Sequence, residues 1–104
     1  QGRERLMATW EAPINPTHTT ASMTTATGVV LAANKARRYA LIVNDGAADV
    51  YINLGEAAVA NTGILINADG GSYEISPAQG NLFLGAINGI TALGTATLLI
   101  TEGT

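Results

Sequence analysis

The chain has 104 residues, a formal net charge of −3 and no cysteine, which leaves room for one domain and excludes a disulfide framework or thiolate chemistry. Charged residues make up only 12% of it, about half the usual share of roughly 25%. The negative balance argues against nucleic acid as the main partner, because a basic patch is the usual footprint, and no apolar run approaches the ~20 residues of a membrane span.

A small domain has a high surface-to-volume ratio and normally covers that surface with Lys and Glu. Here Lys35 is the sole lysine, while Gly, Ala and Thr dominate. Part of the surface is therefore expected to be covered by further copies of the chain or by a larger assembly. A surface of Thr, Asn and Ser is the alternative. Gln1 is not an initiator methionine, so the numbering is expected to begin after processing or trimming.

Residues 1 to about 20 read as an N-terminal arm, and 21–104 as the folded domain. The arm holds Pro13, Pro16, Trp10 and the lone His18. Leu6, Met7 and Trp10 fall at helix-like spacing, and from Pro13 to Thr20 the prolines favour extended backbone. Leu6, Met7, Trp10, Pro13 and Pro16 are the expected partner-binding residues, with Trp10 as anchor because an isolated aromatic has much apolar area to bury. A frayed terminus with Trp10 folded back on its own domain is the plainer reading.

From Ala21 the pattern is strand, turn, strand. Residues 22–32 predict two short strands or a bulge around Gly28. Residues 38–44 predict a strand buried on both faces. Asn44-Asp45-Gly46 is a turn signal, and residues 49–54 alternate, with Val50, Ile52 and Leu54 facing one way and Tyr51 and Asn53 the other. These two runs predict a hairpin. A loop over 55–63 follows, and residues 64–67 and 72–76 predict a second hairpin around Ala68-Asp69-Gly70-Gly71, ended by Pro77. Residues 81–87 and 95–101 supply the last two strands, with Asn88-Gly89 between them as a turn. In the final strand Ala96, Leu98 and Ile100 alternate with Thr95, Thr97 and Thr101. About seven short antiparallel strands predict an all-β fold, a β-sandwich with a jelly roll as one variant.

The inventory for catalysis is thin. A nucleophilic triad needs a base, and only His18 offers one, in the arm. Metal sites want clustered His, Cys, Asp or Glu, and no phosphate-binding glycine motif occurs. Asp45 and Asp69 serve as turn residues, and Asp45 with Asp49 is too few for calcium without backbone help. Lys35, Arg37 and Arg38 read as a solvated lead-in to the next strand. No enzyme activity, metal or cofactor is expected. Tyr51 beside Asn53 could stack on a sugar, or cover a neighbouring strand or subunit.

The runs Ala36–Asp45, Val50–Gly55 and Gly70–Ile75, with Leu82–Asn88, resemble small structural proteins of tailed bacteriophages and prophages over roughly half the chain. The resemblance implies a virion component made in the host cytoplasm and resident on the capsid surface. Its implied role is that of a capsid decoration protein, a homotrimer that binds the major capsid protein or another virion protein and cements the head. A carbohydrate- or receptor-binding module of a tail fibre is the alternative.

Overall fold

The computed structural model describes residues 15–104. They form eight strands: β1 Pro16–Met23, β2 Gly28–Leu31, β3 Tyr39–Asn44, β4 Val50–Leu54, β5 Ile64–Ile66, β6 Ser72–Ile75, β7 Ile87–Thr91 and β8 Ala96–Gly103. One 3₁₀ turn, Pro77–Gln79, follows β6. Its start is fixed by Ser76, whose hydroxyl accepts from the Gln79 amide at 3.3 Å, and by a proline whose missing N–H costs nothing there.

The strands make two antiparallel four-stranded sheets, ordered β1-β8-β3-β6 and β2-β7-β4-β5. The paired strands 1 and 8, 2 and 7, 3 and 6, 4 and 5 are those of one long hairpin rolled over on itself, which is the jelly-roll connectivity. The core joins Met23, Ala40, Ile42, Ile75, Leu98 and Ile100 of the first sheet to Val30, Val50, Ile52, Ile66 and Ile87 of the second. Each fully buried aliphatic side chain contributes roughly 1.5–3 kcal/mol. The period of two in β3, β4 and β8 places these residues on inner faces. In β2 the register shifts between Val29 and Leu31, and this bulge lets the adjacent residues Val30 and Leu31 both enter the core.

Several expectations are corrected. The all-β sandwich stands, with eight strands among the described residues where about seven were expected, and the segment from Pro16 to Thr20, assigned to the arm, is strand. It pairs with β8, with Pro16 opposite Gly103 and Thr20 opposite Leu99. Residues 38–44 are buried on one face only, with Leu41 and Val43 half-exposed on the other.

Neither expected hairpin forms, because β3 and β4 lie in different sheets, as do β5 and β6. The reason sits in Asn44. Its side-chain oxygen accepts from Gly46 N at 2.9 Å, while its amide donates to Ala48 O at 2.8 Å and to Ile66 O at 3.1 Å. A single buried side chain thus turns the chain from the first sheet into the second. The strand expected at 81–87 is a loop, and Asn88-Gly89 lies inside β7. The acceptors of that loop are taken elsewhere: Phe83 O and Gly85 O by Arg37, Leu84 O by Asn34 N, Ala86 O by Gly55 N.

Candidate interaction surfaces

Arg37, expected to be solvated, is 1% exposed. Its Nε donates to Glu102 Oε2 at 2.7 Å, Nη1 to Phe83 O at 2.7 Å and Gly85 O at 3.1 Å, and Nη2 to Ala32 O at 2.7 Å. Four of the five donors of a planar guanidinium are thereby used. The group ties the loops at 32–38 and 80–86 to the last strand. Its role is architectural, and neither the spacing nor the composition around it signals burial.

Two flat surfaces remain, the outer faces of the sheets. On the first sheet, residues facing away from the core line up in cross-strand rows. One row runs His18, Thr101, Leu41, Glu74 and the next Thr20, Leu99, Val43, Ser72. Leu99 is 41% exposed. A shallow groove of about 430 Å³ lies between His18, Thr20, Val43, Leu99 and Thr101. At one rim His18 Nδ1 is 3.0 Å from Thr101 Oγ1. On β6, at the opposite edge of the sheet, Glu74 accepts from the Tyr39 hydroxyl at 2.7 Å and from the Gln79 amide. Accepting that hydrogen bond, the Glu74 carboxylate holds the Tyr39 phenol above its ordinary range, with burial and the Glu74 charge adding to the effect.

The outer face of the second sheet holds Tyr51 and Asn53, the expected contact residues. Tyr51 is half-buried and stands opposite Ile90 of β7 and Leu65 of β5; Asn53 stands opposite Asn88. Val29, opposite Asn88 on the far side, is 59% exposed, and Leu65 47%. Asn53 Oδ1 is buried without a hydrogen-bond partner among the described residues, and Asn88 donates to Glu56 O at 2.6 Å. The face carries no charged side chain.

Of the other expected residues, Leu6, Met7, Trp10 and Pro13 lie outside the described residues, and Pro16 opens β1. Asp45, Asp49 and Asp69 all sit in turns at the Asn44 end, where Asp49 Oδ1 accepts from Ala68 N at 2.8 Å. No group of three metal-ligating side chains occurs among the described residues. His18 and Glu74 stand at opposite edges of their sheet, so the geometry does not unite a base with an acid within one copy. The outward phase of Leu99, a leucine among the threonines of β8, is the one sequence signal that marks the first face.

Among the described residues, Glu74 and Glu102 alone carry charge within a strand, and Glu102 is paired with Arg37. The remaining charges lie in turns and loops. Both sheets thus present broad, weakly polar outer surfaces. No family of proteins, no curated protein and no solved structure matches the chain.

Proposed function

We propose that the chain is a structural subunit of a bacteriophage virion, a decoration protein that binds the head as an oligomer through contacts with the major capsid protein or another virion protein. The observation that carries this reading is the placement of charge. Exposed aliphatic side chains stand among uncharged polar ones on the outer faces of both sheets while charges are confined almost entirely to turns and loops, the arrangement of a surface meant to be covered. The phage-like runs identified in the sequence supply β3, β4, β6 and the loop clamped by Arg37, so the resemblance bears on the scaffold rather than on a reactive site.

A glycan-binding module is the weaker reading. Tyr51 stands among Ile90 and Leu65, and the Asn53 carbonyl is buried. An aromatic platform for sugar needs polar groups within reach at its fringe, and a protein surface suits this face better.

Co-sedimentation with virions prepared from a strain lacking the chain tests the proposal. The full chain is expected to pellet with the particles. A variant without residues 1–14, which keeps β1 whole, is expected to bind more weakly because many small contacts add through multivalency. Failure of the full chain to pellet overturns the proposal.

A further inference from the structure

We propose that the outer face of the first sheet binds a second copy of the same chain, face to face, about a two-fold axis parallel to the strands. Such an axis lays β1 of one copy over β6 of the other and β8 over β3. The row His18, Thr101, Leu41, Glu74 then meets its own reverse. His18 of each copy faces Glu74 of its partner, and Thr101 faces Leu41. In the next row Leu99 faces Val43. An isologous interface requires this kind of self-complementarity, and the face has it: a donor at one edge, an acceptor at the other, Thr101 and Leu41 between them, and the aliphatics Leu99 and Val43 in the next row.

The hydrogen bonds within one copy prepare both ends. His18 Nδ1 is engaged with the Thr101 hydroxyl, and in the tautomer in which Nδ1 accepts, Nε2–H is left as a donor. Glu74 is held in place by Tyr39 and Gln79 and has no cation beside it among the described residues. His18 and Glu74 lie three strand spacings apart, about 14 Å, so the two contacts flank the aliphatic centre rather than crowd it. The outer face of the second sheet offers no such pairing, since Tyr51, Asn53 and Asn88 supply no carboxylate to face a donor and the Asn53 carbonyl is buried.

Four strands by six residues give a face of about 19 by 20 Å, small beside the ~800 Å² per partner of stable complexes. The dimer is accordingly reversible and dependent on concentration. It gives the oligomer of the proposed function a form, and its test, which uses no particles, fails or succeeds apart from particle binding. It also implies a two-fold pair in place of the homotrimer suggested by the phage resemblance.

Sedimentation equilibrium of the full chain over a range of concentrations tests the interface. A monomer–dimer equilibrium is expected. Leu99→Lys and His18→Glu should each weaken it about tenfold or more, because each sets a charge against an apolar or like-charged partner. The double variant His18→Glu with Glu74→Lys should restore it, while circular dichroism reports whether each variant folds. A chain that stays monomeric at every concentration, a trimer, or a dimer indifferent to both single substitutions overturns the interface.

Discussion

Arg37 shows how one side chain can hold three segments. Its burial would be costly for an unpaired cation, but Glu102 and three carbonyls surround it. Removing one partner of such a pair leaves the other uncompensated, at about 3–5 kcal/mol. Against a typical stability of about 5–15 kcal/mol that is a large share. Arg37→Met should therefore lower the urea midpoint strongly, and Arg37→Lys should recover only part of it, because an ammonium cannot reach four separated acceptors. Tyr39 gives a smaller and pH-dependent effect. The neutral phenol donates to Glu74, so its contribution is complete below the ordinary tyrosine value of 10.0 and is lost as pH rises through the raised value of the folded state. The site is partly exposed, and solvent screening keeps the contribution below about 1 kcal/mol. Tyr39→Phe should cost that amount at about pH 8 and nothing at strongly alkaline pH. Denaturation curves at both values check it.

At the scale of elements, strand positions were legible wherever alternation was strong. The runs 49–54 and 95–101 read as strands from period two, and strands span Val50–Leu54 and Ala96–Gly103; the run 38–44 read as a strand from its apolar content, and its alternation, with one face buried, was missed. Partners were not legible. Asn44-Asp45-Gly46 has the composition of a hairpin turn, yet the bonds from Asn44 to Ala48 O and Ile66 O carry the chain between sheets. Turn residues report that the chain reverses and not which sheet it joins next. Residues 81–87 looked like a strand because Leu82, Phe83 and Leu84 are apolar, while the decisive fact was a distant arginine bonding their carbonyls. The long loop between β4 and β5 closes through Gly63, where φ is +84° and a Cβ would lie 2.3 Å from Ile52 O. Gly63→Ala should cost about 2 kcal/mol or more. Gly80 has a similar φ of +73° but open space around it, so Gly80→Ala should cost only about 1 kcal/mol. Thermal unfolding of the two variants separates strain from clash.

For the whole molecule, the scarcity of charge in the sequence anticipated a weakly polar surface, and the structure shows where it lies. The outer sheet faces carry it, with Val29, Leu65 and Leu99 exposed, while the tip of the turn between β7 and β8 adds Leu93 at 84% exposure. The composition could not divide that surface between two faces, because the division depends on which strands share a sheet. His18 was legible only as a solitary histidine; its place in a row ending at Glu74 required the register of four strands. The central claim, that these faces serve assembly on a virion, is tested most directly by electron cryo-microscopy of purified particles. The account predicts density for a pair of packed four-stranded sheets at symmetry-related positions on the head surface. Heads without such density, from cells in which the chain is abundant in the soluble fraction, would contradict it.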